Sequence, residues 1–161
     1  MEQRGMRKII SIPLYPYVTD KKVTMKNKVL LGIGGNVGDC KRRFSNLFRQ
    51  IQKDKRFCIL STSPIYINPP FGYLEQNDFY NATIQLATNQ SVIEVFRMIF
   101  YWERRFNRPR KRAFANSPRT LDIDLLWFNE IKINYPYLHI PHKEWDRRES
   151  VLIPLGLQTI L

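Results

Sequence analysis

A chain of 161 residues with 43% hydrophobic and 13% aromatic residues is long enough for one domain with a single core, and too apolar for a disordered protein. The formal net charge of +12 predicts an anionic partner, and nucleic acid, anionic membranes and nucleotides all fit that sign. No run approaches the roughly 18 apolar residues of a membrane-spanning helix, and two cysteines without metal-type spacing favour reduced thiols in a cytoplasmic protein.

The first 24 residues differ in composition from the rest. The segment IISIPLYPYV is apolar but is interrupted by Pro13 and Pro16, and it lacks the small-residue cleavage site of a signal peptide. We therefore predict a loose N-terminal extension over residues 1–24 and a single folded domain over residues 25–161.

The domain opens with a strand, a turn and a helix. Lys28–Ile33 is typical of a buried strand, GGNVGD (34–39) of a turn, and an amphipathic helix follows from Cys40. The turn matches neither a phosphate loop nor G-x-G-x-x-G. Its glycines are therefore expected to let the backbone approach a ligand or a neighbouring strand closely.

Two more strands come next. Phe57–Ile67 is β-branched and aromatic, and Pro64 interrupts it, which predicts an edge position or a bulge. A proline-containing loop is expected over residues 68–78. Phe79–Ala87 alternates between apolar and polar residues, as a central strand with two distinct faces does.

A second helix, a basic loop and a further strand follow. Ser91 and Glu94 form the S-x-x-E capping box of a second helix. A basic loop (107–117) leads into the strand segment Pro118–Phe128, and a hairpin is expected around Ile131–Tyr135. The order β, α, β, β, α, β indicates an α+β fold with a ferredoxin-like antiparallel sheet, helices packed on the sheet, and a C-terminal hairpin with short helices.

The segment PRTLDIDLLWF (118–128) carries the main candidate site. Side chains alternate along a strand, so Asp122 and Asp124 share one face, with Cα atoms about 6.6 Å apart along the strand. Two such carboxylates suit one Mg²⁺ or a pair of ions. Arg119 and the basic loop suit phosphate oxygens, which makes Mg-ATP an expected ligand. The apolar residues predicted to face the core are Leu121, Ile123, Leu125 and Trp127.

Other interpretations of this pattern stay open at this point. A D-x-D pair is also typical of a solvated strand face, or of a nucleotidyl or glycosyl transferase with another acceptor. A basic RNA-recognition module would share the ferredoxin-like topology and the positive charge. Such modules carry aromatic residues on the exposed sheet face, where this chain places Asp122 and Asp124.

Five motifs, together with the basic loop, carry a resemblance to a known family. They are LGIGGNVGD (31–39), SPIYINPPFG (63–72), DFYNATIQL (78–86), PRTLDIDLLWF (118–128) and IPH…RRESVLIPL (140–155). This set resembles the 6-hydroxymethyl-7,8-dihydropterin pyrophosphokinases of folate biosynthesis over about residues 28–155. The resemblance implies transfer of the β,γ-diphosphate of ATP to the pterin hydroxymethyl group, with release of AMP.

The resemblance also implies roles for individual residues. Asp122 and Asp124 match the ligands of two Mg²⁺ ions, and Arg108 and Arg119 match residues that engage the transferring phosphates. Contacts to ATP are implied for Glu103, Arg110, His142 and Arg148. Contacts to the pterin are implied for Gly34, Asn36, Asn68, Pro70, Phe71, Phe79 and Asn81.

The resemblance makes residues 25–161 a pyrophosphokinase domain. Its expected partners are ATP and the pterin, without nucleic acid or membrane, and the expected state is a cytoplasmic monomer. Ser150 stands where the family usually has an aromatic residue that stacks on the pterin. Trp145 and Phe114 are candidates to supply that face instead.

Overall fold

The computed structural model describes residues 6–70, 72, 74–106 and 118–161 of the chain. Within these ranges the backbone forms nine strands, three α-helices and one short 3-10 helix. The strands are β1 (Lys8–Ile10), β2 (Tyr17–Val18), β3 (Asn27–Gly35), β4 (Phe57–Thr62), β5 (Ile65–Asn68), β6 (Phe79–Thr88), β7 (Asp122–Phe128), β8 (Ile133–Tyr135) and β9 (Leu138–Ile140). The helices are α1 (Cys40–Lys53), α2 (Val92–Arg105), α3 (Glu149–Gly156) and the 3-10 turn Trp145–Arg147.

Seven of the described strands form one antiparallel sheet. β3 lies between β6 and β7, and β6 pairs on its other side with both β4 and β5. β4 and β5 are separate because Pro64 between them has no N–H to donate to a continuous ladder. β8 and β9 form the predicted hairpin. The α+β class and the antiparallel sheet are confirmed for the described residues.

Each long helix begins at a side-chain cap. The Asp39 carboxylate accepts a hydrogen bond from the Arg42 N–H at the start of α1. At the start of α2, Ser91 and Glu94 form the predicted capping box, in which each side chain accepts from the other's backbone N–H. These caps fix where both helices start relative to the strands before them.

The two long helices share one core with one face of the sheet. Their buried members are Phe44, Leu47, Phe48, Ile51, Val95, Ile99 and Trp102. A smaller cluster of Leu30, Leu126 and Val151 joins α3 to the opposite face. The sheet therefore lies between two layers, and the face that carries α3 is also the face of Asp122 and Asp124.

The prediction of a loose N-terminal extension is wrong for residues 8–18. β1 pairs with β5 and β2 pairs with β4, so both join the main sheet. Tyr15 is fully buried against the rings of Phe44 and Phe48, and its hydroxyl donates to the Phe44 carbonyl at 2.8 Å. The segment is ordered because it buries an aromatic side chain and supplies backbone partners to two strands.

The predicted side-chain alternation of β7 is wrong at its C-terminal end. The register between β3 and β7 shifts between Leu30 and Leu31, so Leu126 forms a β-bulge. The extra residue reverses the phase, and Phe128 rather than Trp127 enters the main core. Trp127 packs instead with Trp145 on the opposite face, at a ring separation of 4.9 Å.

Among the described residues, no helix is long and apolar enough to cross a membrane. Cys40 and Cys58 are free thiols. The basic loop, 107–117, lies outside the described residues.

Tyr15→Ala tests the N-terminal correction. It removes a fully buried ring and its hydrogen bond, so we expect the free energy of unfolding to fall by about 3–5 kcal/mol. Tyr135→Ala, at a half-exposed ring in the hairpin, is the matched control and should cost under about 1 kcal/mol. Urea unfolding followed by circular dichroism measures both. If Tyr15→Ala lowers the free energy of unfolding no more than Tyr135→Ala does, the N-terminal segment is a loose extension after all.

Candidate active site

A cleft of about 820 Å³, here called the main cleft, opens on the sheet face that carries Asp122 and Asp124. The structure brings together eight residues predicted for the site. They are Asn68, Phe79, Asn81, Arg119, Asp122, Asp124, His142 and Arg148. Its other lining residues are Ser150, at the position where the family usually has an aromatic residue, and four residues to which sequence analysis assigned no role: Arg7, Glu144, Arg147 and Glu149.

The two aspartates differ in exposure and in partners. The Asp122 side chain is 13% exposed and its Oδ2 lies 3.0 Å from Arg119 Nη1. The Asp124 side chain is 42% exposed, with its oxygens 3.9 Å from His142 Nε2 and 3.8 Å from Arg148 Nη1. At these longer distances the Arg148 guanidinium offsets the charge of Asp124 and the His142 ring lies beside it, without a short hydrogen bond from either.

The bulge at Leu126 helps to hold His142 in the cleft. The Leu126 carbonyl accepts a hydrogen bond from the His142 N–H at 2.9 Å. A bulged residue is displaced from the regular ladder, so its carbonyl is available to another segment. The loop after β9 is thereby tied to β7 beside Asp124.

A glycine separates the two ends of the cleft. Gly34 on β3 pairs with Asn81 on β6 and with Asp122 on β7, so the three residues form one row across the sheet. Residues directly opposite each other share a face, so Gly34 leaves the surface between Asn81 and Asp122 without a side chain. A Cβ atom at Gly34 would lie 2.9 Å from Asn81 Oδ1. The row therefore has room for a ligand only because residue 34 is glycine.

The turn after β3 holds the backbone next to Arg119. The Arg119 N–H donates to Asn36 Oδ1 at 2.8 Å, and its carbonyl accepts from the N–H groups of Asn36 and Val37 at 2.9 and 3.1 Å. Arg43 Nη1 donates to the Thr120 carbonyl at 2.9 Å. Asn36 is buried and lies under this segment. It positions Arg119 rather than lining the main cleft.

Phe79 and a pair of amides form the end of the cleft away from Asp124. The Arg119 guanidinium lies 5.6 Å from the centre of the Phe79 ring, within cation–π range. The Asn81 amide donates to Asn68 Oδ1 at 2.5 Å, and the Asn68 amide donates to the Pro69 carbonyl at 2.8 Å. The amide orientations are thereby fixed beside a flat aromatic face.

Glu103 lies behind the strand that carries the aspartates. It is buried, and its Oε2 accepts a hydrogen bond from the Ile123 N–H at 3.0 Å, between the two aspartates. It also lines an adjoining cavity of about 310 Å³, here called the side cavity. The side cavity shares Asp122, Asp124 and His142 with the main cleft, and its apolar and aromatic members include Phe96, Phe100, Leu125, Tyr137 and Leu138.

The remaining predicted residues have different outcomes. Pro70 is half-buried and does not line the main cleft. Trp145 packs edge-on against Trp127, away from the cleft lining, so it does not supply the second aromatic face. Ser150 does line the cleft. Arg108, Arg110, Phe71 and Phe114 lie outside the described residues.

Sequence reasoning missed the lining residues from two segments. Arg7 was missed because the N-terminal extension was expected to be loose. The available signal was the β-branched run around Ile9, Ile10 and Ile12. Glu149 was missed because nothing in the sequence links it to Arg7, with which it forms an ion pair at 3.0 Å.

The arrangement defines a class of site. Two carboxylates on one strand, with two arginines and a histidine close to them, suit metal-assisted transfer of a phosphoryl group. An aromatic face and fixed amides at the other end suit a flat acceptor with hydrogen-bonding edges. The fold and site thus have the features of a phosphotransferase.

Comparison with known proteins identifies the family. The profile of the 7,8-dihydro-6-hydroxymethylpterin-pyrophosphokinase (HPPK) family matches residues 30–158, and the chain belongs to this family. A 2-amino-4-hydroxy-6-hydroxymethyldihydropteridine pyrophosphokinase of Helicobacter pylori is 44% identical over 156 residues, covering 97% of this chain and 96% of the relative. The protein of the same name in Campylobacter jejuni is 40% identical over 154 residues, covering 96% and 97%. The bifunctional protein FolKE of Lactococcus lactis is 33% identical over 125 residues, which are 78% of this chain and 35% of that protein.

Gly35→Ala tests the contact between the turn and the Arg119 segment. A Cβ atom at Gly35 would lie within 2.4 Å of the Thr120 carbonyl oxygen, so the backbone between Arg119 and Asp122 must shift. We expect turnover to fall by at least about 10-fold, because misplacing a positioned catalytic group by an ångström is costly. The measurement is steady-state kinetics with both substrates.

Gly156→Ala is the matched control, since a Cβ atom there meets nothing within 4 Å. It should retain turnover within twofold. Equal activity in the two variants would show that the close approach at Gly35 does not position the site.

Proposed function

We propose that the chain transfers the β,γ-diphosphate of ATP to the hydroxymethyl group of 6-hydroxymethyl-7,8-dihydropterin, giving AMP and the pterin diphosphate in folate biosynthesis. Family membership supports this reaction, as do two relatives whose names carry it and which match over nearly their whole length. The single structural observation that carries the proposal is the position of Arg119.

Arg119 lies between the carboxylate end and the aromatic end of the main cleft. Its guanidinium lies 3.0 Å from Asp122 Oδ2 and 5.6 Å from the centre of the Phe79 ring. A diphosphate moving from a metal-bound nucleotide to a flat acceptor must pass between those two groups. Arg119 is therefore suited to hold the transferring phosphate and to stabilise the charge that develops on its oxygens. We assign the same role to Arg108 from the family resemblance.

The two cavities suit the two substrates. Phe79 offers a stacking face, and Asn81 and Asn68 offer donors and acceptors for the pterin ring. We assign Gly34, Asn36, Pro70 and Phe71 to the same end as elements that shape the pocket. The side cavity, with its apolar lining next to the aspartates, suits the base and ribose of ATP.

The carboxylates fit magnesium brought in with ATP. Mg²⁺ is commonly bound by one or two carboxylates together with phosphate oxygens and water. Asp122 and Asp124 supply this minimal set on one face of β7, and we assign them two ions. When bound, Mg²⁺ offsets phosphate charge and orients the oxygens for in-line attack.

The other residues of the nucleotide end act by charge and position. His142 and Arg148 lie near Asp124 and can move to phosphate oxygens. We assign Arg110 to the same task from the resemblance. Glu103 accepts the Ile123 N–H and so fixes the strand between the two aspartates.

The finer points of architecture and context are also proposals. The order of β3, β6 and β7, with β4 and β5 at the far side of β6, supports a ferredoxin-like sheet. We also propose a monomer. We propose a cytoplasmic enzyme without a nucleic-acid partner, since the carboxylates would repel a phosphate backbone in the absence of metal.

Asp122→Asn and Asp124→Asn test the reaction and the metal ligands together. Each change removes one anionic ligand for Mg²⁺ with little change in shape, so we expect turnover to fall by about 10³-fold or more. The assay separates AMP from ADP after incubation with Mg-ATP, with and without the pterin. Wild type should release AMP only when the pterin is present.

Asp20→Asn, at an exposed carboxylate of the N-terminal segment, is the control and should retain wild-type turnover. Release of ADP by the wild type would show that the enzyme transfers a single phosphoryl group rather than a diphosphate. Full activity in both Asp122→Asn and Asp124→Asn would remove the metal assignment.

A further inference from the structure

The N-terminal segment contributes a side chain to the main cleft. Arg7 lines the cleft together with Phe79, Asn68, Glu149 and Ser150. Arg7 directly precedes β1. That strand belongs to none of the family motifs and has no role in the proposed reaction. The inference below rests on the proposed pterin end of the cleft.

The sheet register locates Arg7 relative to Phe79. Lys8 pairs with Ile67, so the antiparallel register continues with Arg7 opposite Asn68, and Asn68 pairs with Phe79. Directly opposite residues share a face, and neighbouring strands are about 4.8 Å apart. Arg7 and Phe79 are thus on the same face with their backbones two strand spacings, about 9.6 Å, apart.

The guanidinium of Arg7 is paired with a carboxylate at the start of α3. Arg7 Nε lies 3.0 Å from both carboxylate oxygens of Glu149, the first residue of α3. Burial raises the pKa of the Tyr66 hydroxyl, and the Glu149 carboxylate near it raises that pKa further. Tyr66 pairs with Asn81, so this contact network borders the amide end of the cleft.

Arg7 is far from the metal end. β1 and β7 are at opposite ends of the strand order β1-β5-β6-β3-β7. Four strand spacings, or about 19 Å, therefore separate their backbones. A phosphate held at Asp122 or Asp124 is therefore outside its reach. The ligand group that Arg7 can meet is the acceptor ring.

We propose that the Arg7 guanidinium forms the second wall of the acceptor pocket, facing the acceptor ring on the side away from Phe79. A flat ring in contact on both sides needs its two neighbours about 7–8 Å apart. The backbones of Arg7 and Phe79 are about 9.6 Å apart, so their long side chains lean towards each other above the shorter Asn68 between them. Guanidinium groups are planar and stack on aromatic rings. Ser150 is small and leaves this wall to Arg7, so the N-terminal segment is part of the acceptor site.

The test measures the two substrates separately in the full-length chain. Arg7→Ala should raise the KM for the pterin by about 10-fold and leave the KM for Mg-ATP within twofold, because it removes a planar cation from the acceptor end only. Arg7→Lys should not restore the pterin KM, since a lysine keeps the charge but not the plane. Titration of the pterin in the presence of a non-hydrolysable ATP analogue should give the same change in Kd.

Arg56→Ala is the matched control, because Arg56 is an exposed arginine paired with Asp54 at 2.6 Å and lies outside both cavities. It should change neither KM. Glu149→Gln weakens the hold on Arg7 and should raise the pterin KM by less than Arg7→Ala does. Thermal unfolding of each variant reports whether the fold is retained.

Three results would overturn the proposal. One is a pterin KM within twofold of wild type in Arg7→Ala, and another is full rescue by Arg7→Lys. The third is an equal rise in both KM values with a lower melting temperature, which would make Arg7 a structural tie. Phe79→Ala separates this inference from the site assignment. If Phe79→Ala raises the pterin KM and Arg7→Ala does not, the role of Arg7 is wrong but the pterin site stands. If neither variant changes the pterin KM, the pterin site itself is wrongly assigned.

Discussion

The site depends on one contact between two backbone segments that are far apart in sequence. The turn after β3 accepts and donates hydrogen bonds at Arg119 through Asn36 and Val37. Gly35 lets the Thr120 carbonyl approach more closely than any side chain would allow. Because β7 begins at Asp122, this contact sets both the direction of the Arg119 side chain and the register in which the aspartates face the cleft. Both proposed functions of that region, metal binding and phosphate binding, rely on it.

The carboxylates of the main cleft each lie next to a side chain of opposite charge. Two carboxylates on one strand repel each other, and here each lies close to at least one cationic side chain. The groups that face the carboxylates are two arginines, in the segment before β7 and at the start of α3, and a histidine in the loop after β9. A polyphosphate with its ions would offer anionic oxygens to the arginines and cations to the carboxylates, so both kinds of charge would keep a partner on binding.

The sequence predicted what depends on local pattern. The capping box at Ser91, the break at Pro64 and the paired aspartates on one strand follow from propensity and alternation, and the structure has all three. The bulge at Leu126 was not predictable in this way, because it is fixed by pairing with a strand distant in sequence. The N-terminal segment has a local signal in its β-branched residues, but its pairing with β5 is likewise distant in sequence and no pattern indicates it. Asn36 was predicted to contact the pterin, whereas the structure places it beneath Arg119. That contact crosses 83 positions, and no spacing rule indicates it.

The short strand β1 has a consequence for the behaviour of the protein in solution. It occupies the open side of β5, whose sequence Ile65–Asn68 is β-branched and aromatic. An uncovered strand of that composition offers unpaired backbone groups to other copies of the chain and favours aggregation. β1 itself is only three residues long and begins with a lysine next to Arg7, features that discourage further strand addition. The N-terminal segment thus protects the edge of the sheet against self-association.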